Sequence, residues 1–133
     1  MGTGLPMAIA AAIHDPSVPT VAFAGDGGIG PFIAEPKIAV ERRLPLLFCL
    51  LTDGRFASIR GRSLQDGLTE KPLTPALPSW LGAMEGFGMP VFSASNEVSA
   101  TDALSAWNPT EGPAYLEVSF ETDPYQAMVN DSR

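Results

Sequence analysis

A glycine-rich turn that carries an acidic residue is the first feature of this sequence able to do chemistry. Gly25-x-Gly27-x-x-Gly30 follows an apolar run of strand length, and this spacing brings backbone N–H groups and a helix N-terminus up to a pyrophosphate. The residue between the first two glycines is Asp26, and its carboxylate repels a diphosphate unless a cation lies between them. The turn therefore favours a metal-bridged diphosphate over a metal-free nicotinamide or flavin site.

A second acidic residue follows the next apolar strand. Asp53 comes just after the run Leu46–Leu51. Because parallel strands end at one edge of a sheet, we expect Asp26 and Asp53 to meet there. Mg²⁺ takes about six oxygen ligands, of which one or two usually come from side chains. The two carboxylates are thus the predicted metal ligands, and the backbone carbonyl of Arg55 is a candidate for a third oxygen.

The elements that must position these residues alternate between strands and helices. Continuous apolar runs predict strands over Thr20–Ala24, Leu46–Leu51, Pro90–Ser93 and Ala114–Phe120. Helices are expected over Leu5–Ile13 (capped by Thr3), Phe32–Arg43, Trp80–Phe87 (capped by Ser79) and Val98–Trp107 (capped by Asn96 or Ser95), with a loop over Gly61–Pro78. Strands that are apolar on both faces and alternate with helices predict a three-layer α/β fold, with a mostly parallel sheet flanked by helices.

Composition limits the class of protein. The chain has 133 residues and a formal charge of −7, which fits one acidic domain over residues 1–133 and argues against nucleic-acid binding. The single cysteine, Cys49, excludes an internal disulfide and a Cys-rich metal site, which favours a reducing cytoplasm. The longest apolar run is far shorter than the ~20 residues that cross a bilayer, so no membrane association is expected.

The spacing of the two acidic residues resembles a known cofactor motif. Gly25-Asp26-Gly27, twenty-four further residues and then Thr52-Asp53 are similar to the Gly-Asp-Gly…Asn-Asn or Asn-Asp motif of thiamine diphosphate enzymes. Residues 1–9 (MGTGLPMAI) resemble the segment that precedes this motif in the acetolactate-synthase-like branch, residues 112–118 (GPAYLEV) resemble its last strand, and residues 123–128 (DPYQAM) resemble its tail. The resemblance covers almost the whole chain and implies the C-terminal, diphosphate-binding domain of that family.

The resemblance implies roles for individual residues. Asp26 and Asp53 would be the side-chain ligands of Mg²⁺, with the Arg55 carbonyl as a third ligand. Gly27 and Gly28 would donate backbone N–H groups to the diphosphate. The full cofactor-binding set implied is Met1, Gly25, Asp26, Gly27, Gly28, Asp53, Arg55 and Ile59.

Two apolar members of that set concern the reacting end of the cofactor. Met1 falls where the family has the bulky residue that holds thiamine diphosphate in a bent form, in which its amino-pyrimidine can deprotonate the thiazolium carbon. Ile59 is expected to line the wall near that carbon.

Three positions depart from the family pattern. Gly28 stands where many members have a phosphate-binding Ser, and Asp53 replaces the commoner Asn. The negative charge that Asp53 adds can be offset by the positive charge of Arg55, Arg60 or Arg62. Pro36 occupies a helical position usually held by Leu, where an interior proline costs about 3 kcal/mol unless the helix begins later.

The resemblance also implies partners. In this family a glutamate from a different, pyrimidine-binding domain activates the cofactor, and no segment of this chain resembles that domain. The chain is therefore expected to be a C-terminal domain or small subunit of a homo- or hetero-oligomer, inactive alone and without a catalytic residue of its own. The enzyme would decarboxylate or carboligate small 2-oxo acids, as a lyase or transferase.

Two other functions remain open at this point. One is a Rossmann-type redox domain that uses the glycine turn for a dinucleotide and Asp53 for a ribose. The other is a catalytically silent, truncated interaction module, in which Asp26 and Asp53 are ordinary turn residues.

Overall fold

The computed structural model of the chain describes residues 2–69, 71–73, 79–121 and 124. Met1 and almost all of the tail after residue 121 therefore lie outside the described residues, and so does the wedge role expected for Met1. In the described part, no helix is both long and apolar enough to cross a membrane.

Four parallel strands form the sheet of the described chain. The strands are β1 Thr20–Gly25, β2 Leu46–Thr52, β3 Val91–Ala94 and β4 Ala114–Ser119, in the spatial order β1-β2-β4-β3. All three neighbouring pairs are parallel. The predicted α/β fold is confirmed, and the strand ends differ from those predicted by about one residue.

Helices cover both faces of this sheet. The α-helices are α1 Gly4–His14, α2 Asp26–Ile29, α3 Pro36–Glu41, α4 Ala57–Gln65, α5 Leu81–Gly86 and α6 Glu97–Ala106, with 3₁₀ turns at Gly30–Phe32 and Lys71–Leu73. One face buries Leu46, Phe48, Leu50 and Tyr115 together with residues of α1, α3 and α5. The other face buries Leu47, Cys49 and Leu116 against α6, as expected from the alternation of side chains along a strand.

The helix predicted over Phe32–Arg43 is shorter than expected. A 3₁₀ turn ends at Phe32, and α3 begins only at Pro36 and ends at Glu41. Proline is favoured at the first position of a helix because it has no N–H to leave unpaired there. Pro36 therefore starts a helix rather than interrupting one, and the cost expected for an interior proline does not arise.

The loop predicted over Gly61–Pro78 is partly wrong. The helix α4 runs from Ala57 to Gln65, and a 3₁₀ turn follows at Lys71–Leu73. The sequence of α4 is polar, with a glycine at position 61, so it lacks the apolar stripe by which a packed helix is normally identified.

The predicted helix caps differ in how far the side chains take part. Asn96 caps α6, where its side chain accepts a hydrogen bond from the N–H of Ser99 at 2.9 Å. Thr3 occupies the cap position of α1 without a side-chain hydrogen bond. Ser79 lies one residue before the cap of α5, where its hydroxyl accepts the N–H of Leu81 at 3.2 Å.

Cys49 is predicted to resist alkylation in the folded protein. It is a free, buried thiol in the centre of β2, and burial raises the pKa of this thiol, so less reactive thiolate is present at neutral pH. We expect iodoacetamide to label the native chain roughly tenfold or more slowly than the chain unfolded in urea, as followed by mass spectrometry at pH 8. Equal labelling rates in the two states would contradict the placement of Cys49 in the core.

Candidate functional site

Two neighbouring strands deliver Asp26 and Asp53 to the same edge of the sheet. In the parallel register of β1 and β2, Gly25 pairs with Leu51. Asp26 follows β1 directly as the first residue of the short helix α2, and Asp53 follows the last residue of β2. The two acidic residues that the spacing predicted to meet are therefore neighbours.

Hydrogen bonds from the end of β2 fix the carboxylate of Asp26. The Thr52 hydroxyl donates to Asp26 Oδ1 at 2.5 Å, and the Asp53 N–H donates to Asp26 Oδ2 at 3.3 Å. The same Thr52 oxygen accepts the N–H of Gly54 at 3.0 Å. A chain of bonds thus links the turn after β2 to the start of α2.

The turn after β2 also orients Asp53. Gly54 has a φ of +71°, a left-handed conformation that glycine adopts without steric cost. This turn brings the Arg55 N–H to Asp53 Oδ1 at 3.1 Å. The other oxygen, Asp53 Oδ2, is buried and has no hydrogen-bond donor among the described residues, although a buried carboxylate oxygen normally has a partner.

The charges and the burial of the Asp26 carboxylate favour a bound cation. Burial is the largest effect on Asp26 and raises its pKa, the bonds from Thr52 and the Asp53 N–H lower it, and the charges of Asp53 and Glu117 raise it again. The net shift is upward, because desolvation and neighbouring negative charges disfavour the carboxylate. A bound cation would offset both effects.

The oxygen ligands available at this site fit a hard divalent cation such as Mg²⁺. They are carboxylate oxygens, which such cations prefer, and Asp53 Oδ2 lacks any other partner in the described part of the chain. Within the residues that the structure describes, no group of three or more His, Cys, Asp or Glu side chains could hold a metal. A metal at Asp26 and Asp53 would therefore need further oxygens from a ligand, water or the backbone.

A cavity of about 370 Å³ opens beside the two carboxylates. Its polar lining comes from Gly25, Asp26, Gly27, Asp53 and Arg55, all of which were predicted site residues. Its apolar lining includes Phe23, Leu51, Ile59 and Phe120. The predicted wall residue Ile59 is therefore at the cavity, with half of its surface exposed.

Two predicted residues stand apart from this cavity lining. Gly28 is in the first turn of α2, and the space that a side chain would occupy there is open within 4 Å. Arg62, a candidate to offset the charge of Asp53, instead bonds Asp66 one helical turn away, with Nε to Oδ2 at 3.0 Å. The contributions of the Arg55 carbonyl and of the Gly27 and Gly28 N–H groups stay predictions.

The sequence reasoning missed two residues of the site, Thr52 and Glu117. Thr52 holds Asp26, as described above. Glu117 lies on β4, where one oxygen, Oε2, accepts the Trp80 N–H at 3.0 Å and the Tyr115 hydroxyl at 2.9 Å. An acidic residue inside the apolar run of residues 114–120 was the available signal, since an unpaired carboxylate is rarely buried.

The sequence matches one family model over most of its length. The model, described as the C-terminal TPP-binding domain of thiamine pyrophosphate enzymes, matches residues 1–118. Among curated proteins, the chain is 25% identical over 126 residues to benzoylformate decarboxylase of Pseudomonas aeruginosa, covering 92% of this chain and 23% of that protein. It is 28% identical over 124 residues to the large subunit of acetolactate synthase isozyme 2 of Escherichia coli, covering 91% of this chain and 22% of that protein.

A solved structure shares the fold. The thiamine diphosphate-dependent 4-hydroxybenzoylformate decarboxylase of Rhodococcus jostii RHA1 aligns with a TM-score of 0.76 and 25% identity, over 92% of this chain and 24% of that one. The chain thus spans about a quarter of the length of the relatives it matches.

Proposed function

Because the chain belongs to the thiamine pyrophosphate enzyme family, through its C-terminal TPP-binding domain, we propose that Asp26 and Asp53 bind the Mg²⁺ that holds thiamine diphosphate. The observation that supports this most directly is the buried Asp53 Oδ2, which has no donor in the described chain and belongs to the residue whose N–H bonds the Asp26 carboxylate. The domain would form part of an enzyme that decarboxylates or carboligates 2-oxo acids. Membership of this family favours a thiamine diphosphate site over the dinucleotide site considered above.

The polar end of the cavity has the parts that a metal-bound diphosphate requires. Asp26 and Asp53 supply carboxylate oxygens, and the Arg55 carbonyl is the proposed third protein ligand. Gly27, which lines the cavity, and Gly28, which follows it outside the lining, lie in the first turn of α2, where N–H groups have no acceptor within the helix and can bind a phosphate. Because these groups come from the ends of β1 and β2, the sheet itself fixes their separation.

The apolar side of the cavity faces the reacting end of the cofactor in this proposal. Thiamine diphosphate supplies a carbon nucleophile and an electron sink for the decarboxylation of a 2-oxo acid. Phe23, Leu51 and Ile59 line this side, where they would exclude water and orient a small substrate. These residues shape the cavity, and none of them carries a proton to or from the reacting atoms.

The exposed side chains on the same apolar side of the cavity favour contact with a partner domain. Phe23 is 68% exposed, Ile59 50% and Leu51 41%, and large apolar groups clustered around a cavity commonly mark an interface. We propose that a pyrimidine-binding domain or subunit covers them and supplies the activating glutamate, in a homo- or hetero-oligomer. The 133-residue chain alone is then without turnover.

The proposed function predicts a specific ligand response. With Mg²⁺ and thiamine diphosphate together, the melting temperature of the chain should rise, because a ligand that binds only the folded state stabilises it by about 2.7 kcal/mol at a hundredfold excess over its Kd. Differential scanning fluorimetry at several ligand concentrations measures this rise. Removing the metal with EDTA should abolish it.

Matched ligands make the test selective. Thiamine, which lacks the diphosphate, should give no rise with Mg²⁺, and NAD should give none with or without metal. An equal rise with thiamine and with thiamine diphosphate would contradict the metal-bridged diphosphate. A chain that responds to none of these ligands would favour the silent interaction module.

A further inference from the structure

Glu117 lines a cavity together with Thr52 and Asp53 and has no role in the function proposed above. We propose that Glu117 is a positioning residue that strengthens cation binding at Asp26 and Asp53 through its negative charge, without itself contacting the cation. This inference rests on the proposed metal site.

Strand register places Glu117 next to the metal site. Glu117 pairs with Leu50 on β2, two residues before Thr52. Because side chains alternate along a strand, Glu117 and Thr52 are on the same face of the sheet. A cavity of about 320 Å³ has Thr52, Asp53 and Glu117 among its lining residues, so Asp53 and Glu117 border one space.

Two hydrogen bonds prevent Glu117 from turning away. Its Oε2 accepts the Trp80 N–H at 3.0 Å and the Tyr115 hydroxyl at 2.9 Å. Trp80 is the cap residue of α5, and Tyr115 is fully buried. Both donors are therefore parts of the packed fold, and the charge of Glu117 is held in one place.

The negative charge of Glu117 acts on Asp26, one of the two proposed metal ligands. Glu117 and Asp26 repel each other electrostatically, although they share no hydrogen bond among the contacts described above. Without a cation this repulsion is unfavourable, and a divalent cation bound at Asp26 and Asp53 would be attracted by Glu117, which offsets the repulsion. A group that raises the negative potential at the site raises cation affinity, even when it is not a ligand.

Glu117→Gln separates the charge from the hydrogen bonds. The amide oxygen of glutamine can accept from both Trp80 and Tyr115, so the contacts stay while the charge is lost. We expect the variant to bind Mn²⁺, a spectroscopic substitute for Mg²⁺, roughly threefold to tenfold more weakly than the unchanged chain, as for one charge removed across several ångströms of partly screened protein. The free-Mn²⁺ signal in electron paramagnetic resonance gives the affinity directly.

Two further variants provide the controls. Glu41→Gln makes the same change of charge at an exposed residue at the end of α3, which precedes the start of β2 and not the strand ends that carry Asp26 and Asp53, and should leave the Mn²⁺ affinity unchanged. Asp26→Ala gives the background binding to the acidic surface of this chain, whose formal charge is −7. This background is subtracted from every titration.

Ionic strength and melting temperature distinguish charge from structure. The difference in affinity between the unchanged chain and Glu117→Gln should shrink from 20 mM to 500 mM NaCl, because salt screens the interaction, while their melting temperatures stay close. Glu117→Ala, which loses the charge and both hydrogen bonds, should melt at a lower temperature and bind Mn²⁺ weakly. A purely structural role would instead weaken binding only in the alanine variant.

The outcomes separate this inference from the proposed function. If the unchanged chain binds no more Mn²⁺ than Asp26→Ala, the proposed metal site is wrong, and the inference falls with it. If the unchanged chain binds specifically and Glu117→Gln binds equally well or more tightly, the metal site stands and the role of Glu117 is overturned.

Discussion

Replacing Asp26 with alanine is expected to abolish the response of the chain to Mg²⁺ and thiamine diphosphate while leaving the fold intact. Asp26 and Asp53 are the two side chains that the proposal places on the metal. A cation that loses one of two carboxylates is left with one side-chain ligand beside a negatively charged diphosphate. The rise in melting temperature expected for the unchanged chain should fall to the level seen with EDTA, as measured by the same fluorimetry.

The fold should survive this change because the ionised Asp26 does not by itself stabilise the folded chain. Burial, the largest effect, raises the pKa of Asp26. When the pKa of a carboxyl is higher in the folded state, its contribution to stability is present in acid and is lost as the pH rises through that pKa. At neutral pH the ionised carboxylate, with its hydrogen bonds from Thr52 and the Asp53 N–H included, therefore opposes folding, and its removal is not expected to unfold the chain.

A matched aspartate tests whether the effect is specific. Asp102 is exposed on α6, and Asp102→Ala changes the net charge by the same amount. It should respond to Mg²⁺ and thiamine diphosphate like the unchanged chain. An undiminished response of Asp26→Ala would mean that the glycine turn does not hold the metal.

The strands and the meeting of the two carboxylates were predictable because they depend on local patterns. A strand that is buried on both faces is a continuous apolar run, as in Leu46–Leu51. Parallel strands must then end at one edge, so the residues that follow them come together, as Asp26 and Asp53 do. These statements need no knowledge of side-chain packing.

The extent of the helices depended on contacts that the sequence does not display. The helix α4 is polar, and the sequence predicts a loop from Gly61 onward, although the helix continues to Gln65. The chain from Asp26 to Glu41 forms short helical pieces, with α3 beginning at Pro36. Propensity is a weak guide to such short segments, because tertiary contacts decide where each one begins.

The residues that support the site were hidden for a similar reason. The spacing motif includes Thr52, but nothing in its position along the chain shows that its hydroxyl bonds the carboxylate of Asp26. Glu117 is sixty-four residues after Asp53 and comes near it only through the pairing of β4 with β2. Long-range contacts of this kind follow from strand order, which hydropathy does not fix.

Leu46→Ala is expected to have a large effect on stability, because Leu46 is buried at the start of β2, the interior strand that precedes Asp53. Its side chain is 0% exposed and packs in the larger core cluster with residues of α1, α3 and α5. Truncating a buried leucine leaves a cavity and costs about 2–5 kcal/mol, a large share of the 5–15 kcal/mol typical of a whole domain. Urea unfolding followed by circular dichroism measures the loss.

A leucine on the surface provides the comparison. Leu104 on α6 is 51% exposed, so Leu104→Ala should change the free energy of unfolding by no more than about 0.5 kcal/mol. A ligand that binds the folded state stabilises it by mass action, so Mg²⁺ and thiamine diphosphate should restore part of the stability lost in Leu46→Ala. The same ligands should not raise the melting temperature of Asp26→Ala. Equal losses in the two leucine variants would contradict the central position of β2, and with it the scaffold that brings the two carboxylates together.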